Sequence, residues 1–187
     1  MRTFKEMVES NEPLNEAKRK KKVVFDSEND KFGMVEEGKY LRIYAKIPLK
    51  GVKVGAMGGL IEKESNLSTS SNCWIAKGAM AIEDSSVIHD ARIQGKSVIK
   101  GKAEIANKAR VSGSAVVEGK AKIFNEAQFA GVKASGSCMI FGNADISGLV
   151  SVSGKAKISG DVRLMGKKTW TTDLSGDDVY MGEEKYN

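Results

Sequence analysis

The chain of 187 residues is poor in aromatic residues, proline, cysteine and histidine, and these shortages exclude several classes of protein. Aromatic side chains are 6% of the residues, so the core is not built from large rings. The 2 prolines beside 20 glycines fit neither collagen nor a Pro/Gly low-complexity tract. No apolar run approaches the roughly 18 residues of a membrane span, and the N-terminus lacks the apolar stretch of a secretory signal. A hydrophobic content of 41% argues against disorder.

The 2 cysteines and the single histidine leave little material for a metal site or a catalytic centre. Cys73 and Cys138 do not form a Cys-x-x-Cys pair, which agrees with a reducing compartment and a protein that is not secreted. We predict no metal site, because His89 has no cluster of other ligand residues at a known spacing. Any catalytic arrangement that needs an imidazole would have to use His89.

From Ile75 to Leu164 an aliphatic residue recurs every six positions, with one slip of a single residue near residues 130–134. The residue two positions earlier is nearly always small, and the residue two positions later is usually Gly or Asn. This period predicts a β-solenoid in which each unit is one short strand and one corner. Gly or Asn supplies the positive φ of the corner. Three units make one triangular coil, so the repeat predicts about five coils.

The same pattern places both cysteines at the small inward position of a unit. Cys73 falls in line with Ala91 and Ala109, whereas Cys138 falls in line with Ala103 and Ala121. Because these two lines belong to different corners, we expect no disulfide between the cysteines. Both are predicted to be small buried hydrophobic residues.

Units such as ARVSGS and AKISGD resemble the left-handed parallel β-helix of the hexapeptide-repeat family. The variant looks like phage and prophage proteins that are often labelled acetyltransferases. The resemblance covers roughly residues 40–166 and includes the stretch GGLIEKESNLS. It implies an all-β, single-stranded left-handed parallel β-helix with short β caps. Hexapeptide acyltransferases usually place Gly directly after the aliphatic residue, whereas here it comes two residues later.

We expect four segments along the chain. Residues 1–22 form a helical and then basic tail, residues 23–72 a β-rich cap, residues 73–166 the β-helix and residues 167–187 a second cap. The tail resembles the capsid-targeting peptides of large tailed phages, with a candidate cleavage site at Leu14, Glu16 and Ala17. The alternative is a solvated, flexible tail. Its basic run at residues 18–22 is the feature that points to nucleic acid.

Outward positions one coil apart stack into columns, and two of these columns are basic. Like charges stacked about 5 Å apart repel one another. Either acids of neighbouring columns, such as Glu118 and Asp145, neutralise them, or an anion binds them. The alternative to an anion site is a solvated basic face. The candidate anion-binding residues are Lys102, Lys120 and Lys155 in one column and Arg92, Arg110 and Arg163 in the other.

A third outward column is apolar. It contains Ile88, Phe124 and Phe141, with Met139 beside it. Because the aliphatic positions already fill the interior, we interpret this column as a candidate oligomer interface. Hexapeptide-type β-helices commonly form trimers, so the resemblance implies a homotrimer. The alternative is an aromatic ladder that only stabilises the sheet.

Three functions are compatible with these observations. We favour a non-catalytic structural or interaction protein of a phage, a rigid trimer located in the virion or the host cytoplasm, with a capsid component or a host protein as partner. The first alternative is an acyltransferase that uses acetyl-CoA, its one implied cofactor, with His89 as general base. The second is a protein that sequesters an anion or nucleotide on the basic columns. We expect no membrane association.

Overall fold

The computed structural model describes residues 29–181 and the backbone of the strand Val24–Phe25. The candidate processing residues Leu14, Glu16 and Ala17 lie outside the described residues, as does the rest of the tail. Within the described part, the regular structure is β except for one 3₁₀ turn, Glu64–Asn66. No helix there is long and apolar enough to span a membrane. The predicted all-β parallel β-helix is confirmed.

The strands form three sheets, which are the three faces of the prism. The first, with ten strands, contains in spatial order β1 (Val24–Phe25), β2 (Phe32–Glu37), β3 (Tyr40–Ala45), β4 (Met57–Ile61), β6 (Met80–Ala81), β9 (Val98–Ile99), β12 (Val116–Val117), β15 (Lys133–Ala134), β18 (Ser151–Val152) and β21 (Thr169–Trp170). The second contains β7 (Ser86–Val87), β10 (Glu104–Ile105), β13 (Lys122–Ile123), β16 (Met139–Ile140) and β19 (Lys157–Ile158). The third contains β5 (Trp74–Ile75), β8 (Arg92–Ile93), β11 (Arg110–Ser112), β14 (Gln128–Ala130), β17 (Asp145–Ser147), β20 (Arg163–Met165) and β22 (Val179–Met181).

From β4 onward every neighbouring pair of strands is parallel, with partners one coil apart. Arg92 pairs with Arg110, 18 positions later, whereas Val116 pairs with Lys133, 17 positions later. The shorter spacing is the slip predicted near residues 130–134. The stack has about seven turns rather than the expected five. The difference arises because β4, which precedes the repeat, and β21 and β22, which follow it, continue the parallel ladders.

The interior contains the two inward positions predicted from the repeat. The aliphatic residues of the repeat and the small residues before them are buried, and the 0% exposure of Ile105 and Ala103 is typical. The corner residues have positive φ, including His89 at 57° and Gly95 at 68°. At Gly95 glycine is also required by space, since a Cβ would lie 2.3 Å from the carbonyl oxygen of Gly113 in the next coil.

An antiparallel meander of β1, β2, β3 and β4 covers the N-terminal end. Residues 46–56, between β3 and β4, form a loop that extends over the third sheet. Trp74 at the start of that sheet is buried, because its ring occupies the space beside Gly58. Ile47 lies beyond the end of β3 at Ala45 and is 42% exposed.

The C-terminal end of the core is covered by aromatic residues. The rings of Trp170 and Tyr180 pack edge to face with centroids 5.3 Å apart, and Leu174 packs against the same cluster. The ammonium of Lys168 lies 4.3 Å from the centre of the Trp170 ring. This packing closes the last described turns.

Candidate functional site

A groove of about 370 Å³ lies on the third sheet close to the N-terminal cap. Its lining consists of charged and amide side chains, and it includes part of the arginine column predicted from the sequence. We call it the arginine groove. The lining residues are Lys50, Asn72, Asp90, Arg92, Lys108, Arg110, Glu126 and Gln128.

The repeat itself builds the two walls of the arginine groove. One wall contains Arg92, Arg110 and Gln128, which are partners in successive strands. The other wall contains Asp90, Lys108 and Glu126, each two residues before its counterpart. The residue between the members of each pair is a buried alanine, as in the case of Ala109. Because alternate residues of a strand point to the same side, both walls face outward.

The end of the arginine groove nearest the N-terminal cap is closed by the loop of residues 46–56. A terminal nitrogen of Arg92 donates a hydrogen bond of 2.6 Å to the carbonyl oxygen of Lys50. Burial lowers the pKa of Arg92 below its ordinary value, while the nearby Cys73 and Asp90 act in the opposite direction. An arginine remains charged in a protein at any ordinary pH. Arg92 is therefore a fixed, partly desolvated cation held by the loop.

Both arginines of the groove keep their charge uncompensated by direct pairing. Among the residues that the structure describes, neither Arg92 nor Arg110 has a carboxylate within ion-pair distance. They occupy neighbouring rungs of one ladder, so their positive charges repel each other. A bound anion would relieve this repulsion, since an oxyanion can accept hydrogen bonds from more than one guanidinium.

The second wall is partly neutralised. Lys108 and Glu126 form an ion pair of 2.8 Å, and this contact raises the pKa of Lys108 and lowers that of Glu126. Asp90 accepts a hydrogen bond of 3.3 Å from the backbone N–H of Asn72. The lining contains four cationic side chains and two carboxylates, so its net charge is +2.

The structure separates the other predicted anion-binding residues from this groove. Lys102, Lys120 and Lys155 are exposed and follow a different corner, next to the first sheet. Arg163 belongs to the same ladder as Arg110, but Gln128 and Asp145 lie between them.

Glu118 does not neutralise the lysine column in the way considered from the sequence. Its carboxylate pairs with Lys100 at 3.0 Å and with Lys133 at 2.9 Å, and the two contacts lower the pKa of Glu118. Those lysines lie on the first sheet, in the coils directly above and below Glu118. Lys102 instead interacts electrostatically with the carboxylate of Asp84.

The apolar column is present and contains an aromatic stack. The rings of Phe124 and Phe141 are parallel within 4°, with centroids 4.9 Å apart. Both rings are half-buried, as are Ile88 and Met139. Because the two rings cover part of each other, less apolar surface of this column is exposed to solvent than the sequence predicted.

His89 occupies the predicted corner position and has a structural contact there. Its Nδ1 accepts a hydrogen bond of 3.4 Å from the backbone N–H of Asn107, and the Asn107 side chain donates to that of Asn125 at 2.9 Å. His89 is thus the first residue of a ladder of corner side chains that continues with Asn107 and Asn125. In the described part of the chain, no group of three or more His, Cys, Asp or Glu side chains could hold a metal ion.

Sequence reasoning missed Lys31, Lys50 and Asn72. Lys50 lies in the turn Leu49–Val52, and the lysine-glycine pair indicated a turn without indicating its destination. Asn72 precedes the first regular unit, so the column argument did not include it.

Comparisons with protein-family models and with curated proteins give no match to this chain.

Proposed function

We propose that the protein is a non-catalytic binding protein that holds a phosphate-bearing ligand in the arginine groove. The observation that carries this proposal is the pair Arg92 and Arg110, stacked on adjacent coils without a carboxylate partner in the described residues. Guanidinium groups match the geometry of phosphate oxygens, and a rigid ladder holds them in place before the ligand arrives. A protein that sequesters an anion or nucleotide on its basic columns was one of the alternatives expected from the sequence.

The surroundings of His89 support binding over acyl transfer. Between Trp74 and Trp170 the connections between strands are two to four residues long, so no connection within the repeat forms an acceptor pocket beside His89. The backbone of His89 has the positive φ of a corner, and its Nδ1 already has a hydrogen-bond partner. An acetyl-CoA-dependent activity lost in His89→Ala would restore the acyltransferase alternative.

The broader role that we favoured from the sequence is part of the same proposal. A phage protein of this shape would be a rigid homotrimer, in the virion or the host cytoplasm, that presents its columns to a capsid component or a host protein. The half-buried Phe124 and Phe141 stack and the neighbouring Met139 support the apolar column as the surface between subunits. Mass spectrometry of purified virions would detect the chain and show whether it begins at Ala17.

Calorimetric titration of the full chain with inorganic phosphate and with ribose 5-phosphate tests the ligand. We expect Arg110→Gln to weaken binding about tenfold, because a hydrogen bond to a charged group contributes roughly 1.5–3 kcal/mol. Arg163→Gln is the matched control, since Arg163 belongs to the same ladder outside the groove. Equal effects of the two substitutions would refute the groove as the site.

A further inference from the structure

The arginine groove also contains carboxylates, and these restrict which phosphate compounds fit. Resting on the proposed function, we infer that the ligand is a nucleoside monophosphate whose base donates N–H groups to Asp90, with guanine as the preferred base. The inference uses three properties of the groove: its net charge, its volume and the unequal pairing of its two carboxylates.

Charge and volume set the size of the ligand. The lining has a net charge of +2, and a phosphate monoester carries a charge of about −1.5 to −2 at neutral pH. The volume of about 370 Å³ is close to the lower limit, roughly 300 Å³, of pockets for small organic molecules. Inorganic phosphate would balance the charge but leave most of this volume to water. A nucleoside monophosphate satisfies both requirements.

Asp90 is the carboxylate that is available to the rest of the ligand. Glu126 is held by Lys108 at 2.8 Å, whereas among the described residues Asp90 has one hydrogen bond, from the Asn72 backbone at 3.3 Å. An ionised carboxylate has about four acceptor sites on two oxygens. The side chain of Asp90 is exposed at the mouth of the groove, so it can accept further N–H groups.

The group that binds Asp90 should be neutral. The charges of both Arg92 and Lys108 act on Asp90, so an additional ammonium would face two cations. Nucleobase N–H groups donate hydrogen bonds without a positive charge. Guanine presents two adjacent donors, N1–H and the 2-amino group, which match the two oxygens of a carboxylate. Hypoxanthine retains one of these donors, and adenine places an acceptor nitrogen there.

Titration of the full chain with the monophosphates of guanosine, inosine and adenosine, and with ribose 5-phosphate, tests this inference. We expect guanosine monophosphate to bind about tenfold more tightly than inosine monophosphate, because a good bidentate contact discriminates by roughly that factor or more. Adenosine monophosphate should bind no better than ribose 5-phosphate. Asp90→Asn should abolish the preference for guanine without weakening the binding of ribose 5-phosphate, because the substitution removes a negative charge from the groove.

Asp161→Asn is the matched control, because Asp161 lies in the same corner column and outside the groove. Equal affinities for all three nucleotides and for ribose 5-phosphate would overturn the base preference and leave the phosphate site standing. A complete lack of binding by every phosphate compound would overturn the proposed function itself. A preference for guanine that persists in Asp90→Asn would refute Asp90 as the acceptor.

Discussion

The amine of Lys31 lies 3.1 Å from the thiol sulfur of Cys73. Lys31 is 3% exposed and Cys73 is fully buried, and the same amine donates a hydrogen bond of 2.6 Å to the carbonyl oxygen of Ser68. The pair connects the N-terminal cap to the first coil. Cys73 is therefore more than the small buried hydrophobic residue expected from the repeat, and Lys31 is a buried base whose protonation is coupled to folding.

Lys31→Met should stabilise the protein at pH 7 and flatten its pH dependence in the alkaline range. Burial lowers the pKa of Lys31 from the ordinary 10.5, so the folded chain releases this proton at a lower pH than the unfolded chain. Between the two pKa values the unfolded state binds more protons, and stability rises with pH. The cost of burying the charged amine is therefore complete below the folded-state pKa, where Lys31→Met should stabilise the protein most. We expect a gain of about 1 kcal/mol from urea unfolding at pH 7.

In Lys31→Met the single hydrogen of the Cys73 thiol has two carbonyl acceptors, that of Ser68 at 3.5 Å and that of Val87 at 3.4 Å. Lys120→Met replaces an exposed lysine and serves as the control. Loss of stability at pH 7 in Lys31→Met would mean that the hydrogen bond to Ser68 outweighs the burial of the charge.

Gly95→Ala should destabilise the protein far more than Gly154→Ala. Both glycines have positive φ, 68° and 73°, so both substitutions introduce similar backbone strain. At Gly95 the new Cβ would meet the carbonyl oxygen of Gly113 at 2.3 Å, whereas at Gly154 nothing lies within 4 Å. We expect losses of roughly 3 and 1 kcal/mol in chemical unfolding. Equal losses would indicate that φ alone decides the requirement for glycine.

Asn66→Ala should cost about 2–4 kcal/mol of unfolding free energy. The fully buried Asn66 side chain accepts hydrogen bonds from the backbone N–H groups of Glu62 and Lys63 and donates to the carbonyls of Glu83 and Ser85. Removing it takes a partner from the N–H of Lys63 and from the carbonyls of Glu83 and Ser85, whereas the N–H of Glu62 keeps its hydrogen bond of 3.2 Å to the carbonyl of Ala81. Asn143→Ala, which removes an exposed side-chain contact to Asp161 at a position without positive φ, is the control and should cost less than about 1 kcal/mol. Similar melting temperatures for the two variants would contradict this account.

Phe141→Asp should convert the proposed trimer to a monomer in multi-angle light scattering. A carboxylate in the apolar column would be buried without a partner in the interface, and its desolvation opposes association. Leu149→Asp replaces a residue that is 70% exposed on another corner, and it should leave the mass unchanged. A monomeric parent chain, or a trimer that survives Phe141→Asp, would eliminate the apolar column as the interface.

The fold could be predicted because its determinants are local and repeated. A buried Ile105, a buried Ala103 and a corner Asn107 with φ of 58° are determined within one unit, and the same solution recurs in the neighbouring coils. The columns could be predicted because outward positions one coil apart stack, so the spacing of Arg92 and Arg110 places them on adjacent coils. The number of turns was underestimated because β4, β21 and β22 lie outside the six-residue series and still join the parallel ladders.

The site could be predicted only in part, because a groove depends on contacts between distant segments. Lys50 reaches Arg92 across 42 positions, through a loop whose path no periodicity describes. The contact between Lys31 and Cys73 spans the same separation. The repeat identifies a wall of the arginine groove, whereas the tertiary packing of the cap determines where the groove ends.

The hydrogen bond between Arg92 and Lys50 fixes the arginine groove to the N-terminal cap rather than to the middle of the prism. Each coil that follows the one containing Glu126 lengthens the β-helix without contributing to the lining of the groove. A duplication or deletion of one whole coil in that region would therefore change the distance between the groove and the C-terminal end by about 4.8 Å and leave the groove intact. The length of the β-helix can therefore vary independently of what its N-terminal end binds.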